Sequence, residues 1–376
     1  MREMKEKNEF TVKIKALTPI WTGDENGNCS TLRETGIIGS LRWWYEALIR
    51  GLGGYACDPT DENSRCKLDQ KKFNEALKAG IPVQEALNQQ ICPVCQLFGC
   101  TGWARKFRLE LEFNTSIPEV WIGTRKKKNN KYLKRNIAGL MSDRSVILKF
   151  IQLDSSDIST RKITLDEWAL LNKTLKIIED YGALGARTSQ GNGVIKIIEN
   201  NLPFKNGKIK KFGDRDNNAL PNLRKFFFYK FQIQFKEDIS NLIGKKVFWT
   251  HALEHTDFQD NWENWKKLWN DYHVLSIAFH VRDGIRPLES VKNKRHKIFG
   301  ELGRGSKVFV SHGYKIDEKT VEVRIFGYDV NNIKNEIKEK LTENLKDKLF
   351  STSENYIANI EISEEKTSEE ILEGMK

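Results

Sequence analysis

Apolar and polar side chains alternate from Phe10 to Ala16, with Phe10, Val12, Ile14 and Ala16 on one face and Thr11, Lys13 and Lys15 on the other. A period of two predicts a strand buried on one side. After a loop rich in Gly, Asn and Asp, the period lengthens: Ile38, Leu41, Tyr45, Leu48, Ile49 and Leu52 recur at helical spacing, opposite Arg42, Glu46 and Arg50. This helix should end near Gly53-Gly54. Alternation returns at residues 107–113 and again at Val146, Leu148 and Phe150, which are separated by a long basic loop over 114–144. Thr164-Leu-Asp-Glu167 has capping-box spacing and opens a helix bearing Trp168, Leu171, Leu175 and Ile178. A glycine-rich stretch, Gly182 to Gly193, then leads into a strand over Val194–Ile198. The order strand, helix, strand, strand, helix, strand is the ferredoxin-like one, in which both helices cover one face of an antiparallel sheet.

Residues 201–222 carry Pro203, Gly207, Gly213 and Pro221 among polar residues and read as a linker. Beyond them the plan restarts. Phe227, Tyr229, Phe231, Ile233 and Phe235 alternate as a strand; Trp262, Trp265, Leu268 and Trp269 sit at helical spacing, as core or as a docking face; and Val274–Val281 reads as a strand. Val321, Val323 and Ile325, a charged helix over Asn332–Leu349 and a strand over Ile357–Ile362 complete the set. Phe98-Gly99-x-x-Gly102-x-x-x-Lys106-Phe107 is echoed by Phe299-Gly300-x-x-Gly303-x-x-x-Lys307-Val308 at a constant offset. The expected fold is α+β, two tandem ferredoxin-like (RRM-like) domains over 1–200 and 223–376 joined by that linker. The first carries a cysteine-containing insertion over 54–95 and the basic loop.

The 376 residues have a net charge of +11, yet residues 331–376 are acidic, so the surplus lies upstream. A polyanion, nucleic acid first, is the expected partner. There is no run of about 18 apolar residues, and the charged first ten residues lack the apolar core of a signal peptide. A cytoplasmic protein with no membrane partner is expected. Six cysteines are too few for a disulfide scaffold of this length.

Three strings carry a resemblance: Thr18-Pro-Ile-Trp-Thr-Gly23, Ile37-Ile-Gly-Ser-Leu-Arg-Trp-Trp-Tyr-Glu46, and Ile91-Cys-Pro-x-Cys-x-Leu-Phe-Gly99. With the loop Gly182-Ala-Leu-Gly-Ala-Arg-Thr-Ser-Gln-Gly-Asn-Gly193 they resemble the RAMP superfamily, in particular the subunits numbered one of type III-B (Cmr) CRISPR effector complexes. The resemblance implies no catalysis of its own, other subunits of the complex as partners, and a place at one end of a ribonucleoprotein filament. There it would meet the 3′ part of the guide RNA and the target RNA. In the second half the likeness thins, since the turn over Phe350–Asn355 has no glycines.

The candidate sites follow from side-chain chemistry. In the glycine-rich loop, Arg187 offers a planar fork to phosphate, Thr188, Ser189 and Gln190 add neutral donors, and glycines let backbone N–H groups approach an anion; a helix cap followed by a hairpin is the alternative. Arg33, Ser40, Arg42, Trp43 and Arg50 combine phosphate contacts with an indole for base stacking, or else Arg42, Glu46 and Arg50 form a solvated ladder. Arg105, Lys106 and Arg108 on the second strand, and Lys294, Arg295 and Arg304 near the echoed motif, are further RNA-binding candidates. The run Arg125–Lys128 either clamps a backbone or merely solubilises. Cys57, Cys66, Cys92 and Cys95 can make a tetrahedral structural zinc site or remain reduced thiols, with Cys29 and Cys100 left over. All six histidines lie at 251 or later, which disfavours His-dependent RNA cleavage in the first half. Asp24 keeps open a metal-dependent endoribonuclease, with plain turn chemistry as its competitor. A protein-only adaptor is the third class.

Overall fold

The computed structural model describes residues 9–113, 115–116, 120–128, 131–137, 139–142, 145–153, 162–203, 220–250, 261–301 and 305–375. The first half contains β1 (Glu9–Ala16), α1 (Glu34–Gly51), α2 (Gln70–Lys78), α3 (Val83–Asn88), α4 (Pro93–Phe98), β2 (Phe107–Glu112), β3 (Thr115–Ser116), β4 (Val120–Lys128), β5 (Lys131–Ile137), β6 (Met141–Ser142), β7 (Val146–Gln152), α5 (Leu165–Tyr181) and β8 (Ile195–Asn200). Its main sheet runs β2-β7-β1-β8, all antiparallel, which is the ferredoxin-like order. Val12, Ile14 and Ala16 are buried beneath α1 and α5, as the alternation requires. Thr164 caps α5 with both capping-box bonds: its hydroxyl accepts from Glu167 N at 3.2 Å, and the Glu167 carboxylate accepts from Thr164 N at 2.8 Å.

The basic segment expected as a loop is instead an antiparallel hairpin, β4 on β5, with β3 and β6 paired at its base. The insertion over 54–95 supplies α2, α3 and the start of α4, and it packs on the polar side of α1.

The second half contains β9 (Phe226–Phe235), α6 (Ile239–Gly244), α7 (Asn261–Tyr272), β10 (Val274–Leu275), α8 (Ala278–Ile285), α9 (Lys292–Phe299), β11 (Val308–Val310), β12 (Gly313–Lys315), β13 (Thr320–Tyr328), α10 (Ile333–Leu349), β14 (Ile357–Lys366) and α11 (Ser368–Glu373). Its sheet runs β10-β12-β13-β9-β14, with β11 also on β13, so the ferredoxin-like order recurs with β10 added. The strand expected over Val274–Val281 is a correction: two residues pair, and the chain then turns into α8. A short apolar run with no clear period fits either state. Trp262, Trp265 and Trp269 are core, with Trp265 stacked on Phe248.

The echoed motif performs the same task twice. Gly99 and Gly300 end α4 and α9 at φ 87° and 72°, and Lys106 N and Lys307 N then donate to Leu97 O and Ile298 O at 3.0 and 2.8 Å. Each half thus turns a helix into its second strand through a glycine in the left-handed region. Most of the linker, 204–219, lies outside the described residues.

Candidate nucleic-acid interface and metal centre

The glycine-rich loop lies where the two halves meet. Gly182 passes so close to Trp44 that a Cβ there would fall 2.5 Å from the indole, whose Nε1 donates to Ala183 O at 2.9 Å. From the second half, Arg324 donates to Glu179 O at 2.6 Å, Arg282 to Ser189 O at 3.1 Å, and His312 N to Gly191 O at 3.1 Å. The N–H groups of the loop's glycines are committed internally. Gly182 donates to Ile178 O, Gly185 to Ser40 Oγ, Gly191 to Thr188 O and Gly193 to Pro19 O. The expectation that glycine amides cradle an anion is therefore corrected: here the glycines serve close packing and positive φ. Ser40 is an internal anchor of the loop.

What faces outward is the short stretch Arg187–Gln190, half-buried, with Thr188–Gln190 wound into one 3-10 turn. Arg187 sits at φ 54° and lays its guanidinium 4.3 Å from the centroid of Trp21, with Nη2 donating to Gly27 O. Such a cation–π contact holds the guanidinium in place over the ring. Trp21 was not among the residues read as functional; its place beside Gly23 in the Thr18–Gly23 string was the available signal. Thr22 links this patch to Arg33, whose N–H donates to Thr22 Oγ1 at 2.9 Å while its side chain stays exposed.

Other expected contacts are turned inward. Arg50 is 5% exposed and donates to Ala56 O, Cys57 O and Pro221 O. Lys106 is 1% exposed and holds both Glu167 carboxylate oxygens at 2.8 and 2.9 Å. Arg42 donates to Glu46 and to Gly99 O, both at 2.9 Å, and to Cys95 Sγ at 3.3 Å. Burial lowers the tendency of its guanidinium to hold a proton, but the neighbouring Cys95 sulfur and Glu46 carboxylate outweigh this and raise it. Trp43 packs edge-on against Phe309 and Tyr328. These four are structural, and neither a solvated ladder nor a base platform describes them.

Arg105 is half-buried; Arg108 is exposed and paired with Glu110. Lys294 is exposed on α9, and Arg295 bonds Glu289 O and Ser290 O. Arg304 lies outside the described residues. The Asp24 carboxylate accepts from Asn26 N and Asn28 N, at 2.9 and 2.7 Å, and so caps its own turn.

The insertion brings Cys57, Cys66, Cys92 and Cys95 together, with all four sulfurs within 4.8 Å of one another and three of the residues buried. Cys92 opens α4, so Cys95 lies one helical turn on, and Cys57 and Cys66 arrive from the loop below α1. Four sulfurs around a tetrahedral zinc at about 2.3 Å would stand about 3.8 Å apart, and the Cys57–Cys95 separation is 3.5 Å. The other three thiols hold Cys57 low, because each donates toward it. A buried cluster of this kind can hold a metal.

Residues 13–196, just under half of the chain, match the RAMP superfamily model. The first half is thus similar to domains of the RAMP class. Among solved structures, the chain is similar to Cmr1 from Pyrococcus furiosus (14% identity, 85% of this chain and 88% of that one, TM-score 0.38). It is also similar to a chain in a type III-B Cmr-beta complex bound to cognate target RNA and AMPPnP in the presence of ssDNA (11% identity, 90% and 100% covered, TM-score 0.40). No curated protein matches the chain.

Proposed function

We propose that this chain is a non-catalytic RNA-binding subunit of a type III-B CRISPR RNA-guided antiviral effector complex. It holds the 3′ part of the guide RNA, the target RNA paired with it, or both, at one end of the assembly. The observation that carries this reading is the glycine-rich loop between α5 and β8, whose Arg187–Gln190 stretch lies at the surface with the guanidinium held over Trp21. A planar fork held in place suits phosphate oxygens better than a freely rotating cation does. Arg33 extends the patch, while Arg105, Arg108, Lys294 and Arg295 are secondary contacts. The absence of catalysis is supported by Asp24, whose carboxylate is engaged by its own turn.

The four cysteines hold a structural zinc ion. Four thiolates close its coordination shell, so the ion fastens the insertion to α4 and offers no position for a substrate water.

The test is RNA–protein crosslinking in the assembled complex, with crosslinked peptides mapped by mass spectrometry. Crosslinks within residues 182–193 are expected. Assembly with no crosslink to this chain would leave a protein-only adaptor. Cleavage of labelled RNA by the purified chain with divalent metal, lost in Asp24→Ala, would establish the endoribonuclease instead.

A further inference from the structure

The polar face of α1 points at the cysteine cluster. Arg42, Glu46 and Arg50 follow one another at helical spacing, joined by contacts of 2.9 Å (Arg42 to Glu46) and 3.5 Å (Arg50 to Glu46). Beyond this chain of charges, Arg42 reaches Cys95 Sγ and Gly99 O on the α4 side, and Arg50 reaches Ala56 O and Cys57 O on the loop side. The two segments that deliver Cys57 and Cys95 are thereby held by one helix. A second guanidinium lies nearby: Arg65 lines the same cavity as Arg42, Cys57, Cys66 and Cys95. Its Nε is buried with no hydrogen-bond partner among the described residues, and its contact to Glu62 is a 3.5 Å one to a largely exposed carboxylate.

Charge explains the arrangement. A dication held by four thiolates carries a net charge of two negatives, which is costly in a buried site unless cations or N–H donors face the sulfurs. Arg42, Glu46 and Arg50 together supply one positive charge, and Arg65 supplies another. We propose that Arg42 and Arg65 are the outer-shell cations of the four-cysteine metal centre, and that Arg42 positions and charge-balances Cys95 through its N–H contact to that sulfur. This inference rests on the metal reading above and assigns to α1 a task unrelated to RNA.

The experiment uses the full chain loaded with Zn2+ in competition with a chromophoric chelator, and separately with Co2+, whose sulfur-to-metal charge-transfer band reports on thiolate donation. Arg42→Gln keeps a donor for Gly99 O but removes the charge, and Arg65→Gln does the same at the second position. Each should weaken zinc binding, Arg42→Gln by about 10–100-fold, and Arg42→Gln should also shift the cobalt band. Should Arg42→Gln fail to fold, the exposed end of Arg65 makes Arg65→Gln the deciding variant. Both variants matching the wild type in chelator competition and cobalt spectrum would overturn the outer-shell assignment while leaving the metal centre standing. A wild-type chain that takes up no stoichiometric metal would overturn the centre itself.

Discussion

At the scale of single residues, burial decides what each cation does. Arg50 sits in a dry environment where its charge is matched by Glu46 and its N–H groups by carbonyls. Arg50→Ala should cost about 3 kcal/mol, since it leaves Glu46 and those carbonyls under-satisfied; the urea midpoint checks this. RNA affinity measured on folded protein should not change. His312 gives a second residue-scale prediction. It is fully buried, next to His280, and burial pushes its imidazole down to about 3. The folded ring stays neutral while the unfolded one takes up a proton below pH 6.5. Its contribution to stability is therefore complete above that pH and shrinks as pH falls, by about 2 kcal/mol at pH 5. Urea unfolding at pH 7 and pH 5 should show this loss in the wild type and a smaller one in His312→Asn. None of this was legible from residue type. Spacing put Arg42, Glu46 and Arg50 on the polar side of α1, but the insertion that covers that side comes later in the chain. Long-range burial leaves no local signature.

At the scale of elements, periodicity and caps identify a segment where it is long or its ends carry a capping signature. The strands β1, β2, β7, β8, β9, β13 and β14, the helices α1 and α10, and α5 with its capping box lie where alternation or helical spacing places them. The failures have physical causes. Residues 120–137 hold seven basic side chains that interrupt any apolar alternation, and the β4–β5 hairpin shows only in its backbone pairing. Val274–Val281 is too short and too uniformly apolar to reveal its period. The glycine-rich loop lies between α5 and β8, as its sequence places it, and it also bonds the second half through Arg282 and His312. Gly191 has φ 112°, and a Cβ there would fall 2.5 Å from His312 and 2.6 Å from Ala278. Gly191→Ala should destabilise the protein by about 3 kcal/mol through strain and overpacking. The urea midpoint of this variant against the wild type checks it.

At the scale of the whole molecule, two ferredoxin-like sheets meet at a junction built from Trp43, Trp44, Arg282, Arg324 and the glycine-rich loop, with Arg187–Gln190 left facing outward. The net charge of +11 supplies long-range attraction to a polyanion, and in the proposed function the local patch decides whether RNA is held. The deciding measurement is RNA affinity across a salt series for wild-type protein and Arg187→Gly, a substitution that suits the positive φ at that position and removes the whole side chain, guanidinium included. The account predicts weaker binding at every salt concentration and a slope of log K against log salt shallower by about 0.7, one phosphate contact fewer. Superimposable curves for the two proteins would contradict it.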